Sequence, residues 1–525
     1  MAKQNSTTEE IDKRSTDLDK FKEAVLSPYL CGQGNTCVKA DELAARSLIP
    51  PKTGKARDFS FVSSEIPQYI SENCVACMEC VALCPDAALR PRVVNQKEYD
   101  QVLNSAREDL KGHITSHFGK TKKFWEMYEK KNQEPGYFSI WVDPSKCKGC
   151  AECIDVCGDH NALRMVDKSK EQMATDRAAI QHIIEQIPTT SDKFINEKLV
   201  TDMFLREDFW VYEGGSGACR GCGEITALNM AMLATAVRSG RNMAMIAATG
   251  CNSVYSATYP YNIFDVPWTN SLFENSPAVA MGVRMRLDQQ GKQDTKLWVI
   301  GGDGAMFDIG FQSLSRILAS GQDINVLVLD TQTYSNTGGQ ASTATFVAQN
   351  AKMSRHGKVV AGKQERRKEL GLLAMMHPDV YVAQVSPAYH THFLKVAMEA
   401  VDYPGPSVII AYSPCPVEHG IADNESYSQA RAAVLSRSFP LFVHDPRKGP
   451  TMKERLSLLG NPSLKEDWHS DPKTNETLDF VWFARREGRF SKHFNKAGEP
   501  TETLLHSQQD RLSNWRTLKE LAGKL

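Results

Sequence analysis

KLWVIGGDG, residues 296–304, runs from a lysine through four apolar residues into glycines and an aspartate. A short apolar run closed by glycine is the pattern of a strand buried on both faces, and the glycines let the backbone come close to a ligand. Similar runs occur on either side: MAMIAAT (243–249), INVLVLD (324–330), VYVAQV (380–385) and SVIIAYS (407–413). Helix-period stretches such as ALNMAMLATAV (227–237) lie between them. This alternation predicts an α/β domain over residues 205–430, a doubly wound, mostly parallel sheet with helices on both faces. Asp303 then falls at a strand's carboxyl end, where open α/β sheets bind ligands.

The next apolar run, LVLD, leads into TQTYSNTGGQ (331–340), which is rich in oxygen and amide groups. A hard divalent ion bridging a diphosphate takes oxygen ligands, commonly one or two carboxylates plus the phosphates. Asp303 with a later hydroxyl and carbonyl meets that need. A glycine turn in any Rossmann-like sheet also contains GDG, but no GxGxxG with an acidic residue about twenty positions on is present, so nicotinamide or flavin binding is not favoured. The pairing resembles the thiamine diphosphate motif. That resemblance implies Mg2+ held by the Asp303 carboxylate, the Thr331 hydroxyl and the Thr333 carbonyl.

Upstream stand two four-cysteine runs, Cys74-x2-Cys77-x2-Cys80-x3-Cys84-Pro85 and Cys147-x2-Cys150-x2-Cys153-x3-Cys157, eight of the chain's 14 cysteines. This is the spacing of two-cluster ferredoxins, in which the fourth cysteine of each run ligates the other cluster. Cys74, Cys77, Cys80 and Cys157 are expected on one [4Fe-4S] cluster, and Cys147, Cys150, Cys153 and Cys84 on the second. A pair of zinc sites is the alternative reading. The small α+β ferredoxin-like domain is expected over 58–170, with an insert at 85–146. Within the insert, GKTKKFWEMYEKK (119–131) reads as a lysine-clustered amphipathic helix, either a solvated face or a docking patch for a small acidic electron carrier.

Residues 1–57 form a polar segment with a helix-like stretch near Thr16 to Leu26 and a CGQGNTC loop, whose Cys31 and Cys37 fit no standard metal spacing. Residues 171–204 read as a polar linker and 431–525 as an extended C-terminal arm. At 525 residues, 41% hydrophobic, 24% charged and with a formal charge of -1, the chain carries no global field that suggests nucleic acid or an anionic membrane as partner. No apolar run approaches a membrane span, the N-terminus lacks a secretory pattern, and the cysteines follow metal motifs, so a cytoplasmic location is expected.

Three further contexts, Cys219-Arg220-Gly221-Cys222-Gly223-Glu224, the ATGC ending at Cys251, and Tyr412-Ser413-Pro414-Cys415, complete a pattern. With the GDG and YSNTGGQ strings, and with WTNSLFEN, ELGLLAM, VDYPGPSVIIAYSPC and SRSFPLF in order, residues 60–490 resemble the pyruvate:ferredoxin oxidoreductase family of 2-oxoacid oxidoreductases. Gly158 replaces the usual proline after the second cysteine run. The resemblance implies that Cys219, Cys222, Cys251 and Cys415 hold a third, proximal [4Fe-4S] cluster. It implies that Glu224, Cys251, Gly302, Asp303, Gly304, Ala305, Thr331, Thr333 and Asn336 contact the cofactor, with Glu224 and Asn336 closest to the chemistry. The expected reaction is oxidative decarboxylation of pyruvate to acetyl-CoA and CO2, or the reverse, with coenzyme A as co-substrate and ferredoxin or flavodoxin as electron carrier. A sister enzyme for 2-oxoglutarate, an aryl pyruvate or oxalate, and a non-catalytic electron-transfer subunit, are the alternatives. Single-chain relatives begin with pyrimidine-binding and coenzyme A-side domains that this sequence lacks. A second polypeptide carrying them is therefore expected, in a hetero-oligomer with two copies of each chain.

Overall fold

The structure, a computed structural model, describes residues 18–37, 49–168, 170–357 and 360–525. Two short strands, β1 (Glu65–Tyr69) and β5 (Leu163–Asp167), pair antiparallel and frame the cysteine runs. Each run opens into one short helix, α1 (Glu79–Ala82) and α2 (Glu152–Cys157). The insert supplies β2 (Leu89–Val94), β3 (Phe118–Gly119) and β4 (Tyr137–Val142), a small antiparallel sheet in the order β2-β4-β3.

Residues expected as a polar linker begin instead with a 17-residue helix, α3 (Lys170–Gln186). Its Ala179, Ile180 and Ile183 pack with Val94, Val102, Leu110, Ile114 and Trp141 of the insert. The polar composition belongs to the other face of an amphipathic helix, which composition alone does not separate from a loop.

The larger domain carries an eight-stranded sheet in the order β15-β14-β12-β13-β9-β8-β6-β7. Its parallel part comprises β6 (Met243–Ala248), β7 (Trp268–Ser271), β8 (Lys296–Gly302), β9 (Asn325–Asp330), β12 (Tyr381–Val385) and β13 (Ser407–Tyr412). A small finger, β10 (Arg355–His356) with β11 (Ala361–Gly362), stands apart from it. The central strands β9 and β13 are buried along their whole length, as expected when both faces are covered by helices. The helices that matter for the site are α4 (Gly223–Ser239), α5 (Cys251–Ser256) and, near the far edge, α6 (His390–Val401).

The C-terminal region is not an extended arm. Residues Phe442–His444 (β14) and Leu456–Ser457 (β15) add antiparallel strands to the sheet edge, and α7 (Glu502–Leu521) buries Leu504, Trp515 and Leu518 in the same core as Phe346, Phe480 and Phe483. Near the N-terminus, Phe21, Val25 and Leu26 pack against Tyr259 and Tyr261. Thr16 and the side chain of Cys37 lie outside the described residues, and Cys31 is an exposed free thiol. No helix among the described residues is long and apolar enough to cross a membrane.

Candidate functional site

Strand register explains how distant residues meet. Gly302 of β8 pairs with Leu329 of β9, and Asp330 of β9 pairs with Tyr412 of β13, so the carboxyl ends of three neighbouring strands deliver Asp303, Thr331 and Cys415 side by side. β6, on the other flank of β8, delivers Cys251 as the first residue of α5. The first turn of α4 closes the group: the Gly223 amide donates to the Pro414 carbonyl at 3.0 Å, and a Cβ on Gly223 would lie 2.5 Å from the Pro414 ring.

A cavity of about 220 Å³ opens at these strand ends. All nine residues expected to contact the cofactor line it, from Glu224 and Cys251 through Gly302–Ala305 to Thr331, Thr333 and Asn336. Asn336 is exposed at the mouth, whereas Glu224, Asp303, Thr331 and Thr333 are buried. Thr331 Oγ1 lies 3.2 Å from Asp303 Oδ1 and 2.9 Å from the Thr333 carbonyl oxygen. Three oxygens thus converge where a single hydroxyl proton can serve only one acceptor. Burial, with the Asp330 carboxylate next to it, pushes Asp303 well above the usual carboxylate range. A divalent cation in that notch would reverse the shift and restore the carboxylate.

Two residues of the cavity lining carry orphaned atoms. Glu224 Oε2 and Asn252 Oδ1 are buried without hydrogen-bond partners, and buried polar groups are rarely left so unless a ligand completes them. Burial alone raises the Glu224 carboxyl to about 8, so it is largely protonated at neutral pH. At Gly302 a Cβ would meet nothing nearer than the Leu329 carbonyl at 3.9 Å, so packing does not require glycine there and the open space is a cradle for a ligand. Gly304 differs, since a Cβ would lie 2.7 Å from the Tyr334 ring. The donor set, the orphaned atoms and the open glycine fit a metal-bound diphosphate.

Several supporting residues carry no motif that would mark them in the sequence. Ser342 Oγ donates to Asp303 Oδ2, and Arg367 forms a fully buried ion pair with Asp330. Lys363 Nζ donates to the carbonyls of Ser342, Thr343 and Thr345. His419, held neutral by burial, lies with Nε2 2.9 Å from the Thr331 carbonyl while Nδ1 accepts the Cys415 amide at 3.4 Å. It thereby ties the metal notch to the Cys415 loop.

The cysteines of the two runs influence one another electrostatically, and Cys219, Cys222, Cys251 and Cys415 form a separate neighbourhood. Cys80 feels Cys74, Cys77, Cys157 and Cys84; Cys153 feels Cys150, Cys84, Cys80 and Cys147; Cys251 feels Cys222, Cys415 and Cys219. Burial is the first cause raising the thiols of Cys80, Cys153 and Cys251, and it takes Cys415 to about 11. Among the described residues no three His, Cys, Asp or Glu side chains converge closely enough to hold one ion. Two loops repeat one backbone: Ala76 and Met78 after Cys74, and Gly149 and Ala151 after Cys147, all have positive φ between 59° and 66°. Such conformations cost non-glycine residues about 1–3 kcal/mol each and turn backbone amides toward a bound anion. Amides of Ala76, Ala88 and Ala162 point at the sulfurs of Cys74, Cys84 and Cys157, at 3.3–3.4 Å.

Known proteins are similar to this chain in sequence. Residues 248–411 match the family described as thiamine pyrophosphate enzyme, C-terminal TPP binding domain. The pyruvate:ferredoxin oxidoreductase of Moorella thermoacetica is 30% identical, in an alignment that takes in 90% of this chain. The chain belongs to the pyruvate:ferredoxin oxidoreductase family. A probable pyruvate-flavodoxin oxidoreductase of Escherichia coli is also 30% identical, over 96% of this chain. The chain spans about 45% of the length of both relatives. A 2-oxoglutarate:ferredoxin oxidoreductase from Magnetococcus marinus aligns with 42% of this chain and 70% of its own, at 23% identity and a TM-score of 0.35. Within the family match, residues 248–411 take in Cys251, Asp303, Thr331 and Asn336, while the two ferredoxin-type runs lie outside it.

Proposed function

We propose that this chain carries the diphosphate end of the catalytic site and the electron path of a pyruvate:ferredoxin or flavodoxin oxidoreductase. The observation that carries the reading is the single cavity at the ends of β6, β8 and β9 that gathers Glu224, Cys251, Asp303, Thr331 and Asn336. Thiamine diphosphate supplies, when bound, a nucleophilic carbon and an electron sink for decarboxylation of a 2-oxoacid, and three [4Fe-4S] clusters supply one-electron steps. Asp303, the Thr331 hydroxyl and the Thr333 carbonyl hold Mg2+, and the Gly302 backbone admits the diphosphate. Glu224 keeps a proton at neutral pH and offers it from Oε2 as a hydrogen bond. Asn336, at the mouth, orients the carboxylate or oxo group of pyruvate, and coenzyme A accepts the acetyl group.

Cys219, Cys222, Cys251 and Cys415 hold the cluster nearest the cavity. The second group, Cys147, Cys150, Cys153 and Cys84, lies deeper, and the first, Cys74, Cys77, Cys80 and Cys157, reaches the surface at exposed Cys77. The loops abut in that order: Arg220 Nη2 donates to the Gly149 carbonyl at 2.7 Å, Lys148 Nζ donates to Ser216 and Ala218 carbonyls, and Cys153 feels Cys80. With clusters bound at these cysteines, the abutting loops would give single electrons a route from the cavity to the surface.

The cavity lining includes exposed Phe273 and Ile309, apolar surface that a further polypeptide segment would cover. With the share of the relatives' length that this chain spans, this surface supports a site completed by pyrimidine-binding and coenzyme A-side domains on another polypeptide. The test is anaerobic: purify the tagged chain with whatever copurifies, supply thiamine diphosphate, Mg2+ and coenzyme A, and follow bleaching of iron-sulfur absorbance. Bleaching with pyruvate, dependent on a copurifying segment, is the expected result. Bleaching only with another 2-oxoacid would reassign the substrate, and no thiamine diphosphate binding under any condition would overturn the catalytic reading.

A further inference from the structure

Ser335 lines the strand-end cavity, and its hydroxyl has a single proton to give. Two oxygens stand within its reach: Thr331 Oγ1, to which it donates at 2.9 Å, and the Thr333 carbonyl oxygen at 3.5 Å. Both belong to the metal notch. The third neighbour is the Cys415 thiol, toward which the same hydroxyl is a hydrogen-bond donor. Cys415 is kept at that place by its own segment. The Ser413 amide donates to the Asp330 carbonyl at 3.0 Å, and His419 bridges the Cys415 amide at 3.4 Å and the Thr331 carbonyl at 2.9 Å. His419 is fully buried, so the two segments are pinned together while the Ser335 hydroxyl can turn between its acceptors.

A divalent cation takes up the lone pairs of the oxygens that hold it, and an oxygen so bound is a poor hydrogen-bond acceptor. Filling the notch therefore removes both oxygen acceptors of Ser335 at once and leaves the sulfur. A hydrogen bond to a cluster's thiolate favours the reduced, more negative state, and such bonds help to set iron-sulfur potentials. We propose that Ser335 is a positioning residue that couples the two sites: with a metal-bound diphosphate in place, its hydroxyl turns from Thr331 to Cys415 and raises the potential of the cluster held there. The cluster then accepts an electron most readily when the cofactor that supplies it is bound. By linkage the effect is reciprocal, so reduction of that cluster tightens cofactor binding by the same factor. This coupling rests on the cofactor set proposed above.

The experiment uses the full chain with its copurifying partners, kept anaerobic, and titrates thiamine diphosphate with Mg2+ calorimetrically into the oxidised and the dithionite-reduced protein. The reduced protein should bind at least about fivefold more tightly, the low end of coupling between sites. Redox titration followed by EPR should show the matching rise, about 41 mV at the one-electron slope of about 59 mV per tenfold, in the signal that Cys415→Ser removes. In Ser335→Ala the preference and the rise should vanish. In Ser335→Thr, which keeps the hydroxyl, both should persist, with melting temperature and iron content unchanged in either variant. A preference of equal size in Ser335→Ala overturns the inference, since the coupling would then run through space. Equal affinity in the two redox states of the unsubstituted protein also overturns it and leaves the proposed cofactor set standing. Absence of thiamine diphosphate binding in both states overturns the proposed function and this inference with it.

Discussion

The strand-end cavity and the two cysteine loops are both built to hold inorganic groups, but they are assembled in opposite ways. In the loops, three thiols of each run come from seven consecutive residues, oriented by positive-φ backbone at Ala76, Met78, Gly149 and Ala151. Only the fourth thiol comes from elsewhere. At the strand ends no two of Glu224, Cys251, Asp303, Thr331 and Cys415 are close in sequence, and each arrives on a different segment. The loops are local devices that depend on what they bind, while the strand ends depend on sheet register and on buried charges behind them.

That contrast is broken most severely at the metal notch. Asp303→Ala should reduce pyruvate-dependent turnover to background while iron content and the absorbance of the ferredoxin-type clusters stay intact; joint loss of both would mean that the two regions are one unit. Next in size, Cys415→Ser should remove one cluster's iron and leave the other two, measured by iron analysis and low-temperature EPR. Unchanged iron would sink the third ligand set. Arg367→Met strands Asp330, whose ion pair has side chains 2% and 0% exposed, and breaking such a pair costs about 3–5 kcal/mol. The melting temperature should fall and thiamine diphosphate affinity with it, while the cysteine loops retain iron.

Two smaller effects sharpen the same comparison. Gly302→Ala has room in the protein, so stability should shift by about 1 kcal/mol or less, yet thiamine diphosphate affinity should drop at least about tenfold. Unchanged affinity would remove Gly302 from the cradle. Glu224→Gln tests linkage. The folded-state carboxyl near 8 lies above its unfolded value of 4.5, so the folded chain binds more protons between those values and loses stability as pH rises through that window. The variant should flatten part of that slope in denaturant titrations; Glu152, also raised to about 8 by burial, keeps the remainder.

Much of this could be read in the chain. The runs that became β6, β8, β9, β12 and β13 are apolar and closed by turn residues, because strands buried on both faces admit little else. The helices at 170–186 and 502–521 were legible in principle, since Ala179, Ile180 and Ile183, and Leu504, Leu512, Trp515 and Leu518, follow helical spacing. Their high polar content masked it. Ser342, Lys363, Arg367 and His419 left no local trace, because a residue that supports another across the fold needs only the right place, not a pattern.

The sequence by itself determined the cysteine spacing, the glycine and aspartate at the end of KLWVI, and the apolar periods of the sheet, all of which depend on neighbours a few residues apart. Only the tertiary structure decided that β8 lies between β6 and β9 and that β13 follows, so that Cys251, Asp303, Thr331 and Cys415 share one edge. Strand order is set by how whole faces bury against one another, and that energy belongs to the assembled core and not to any stretch of chain.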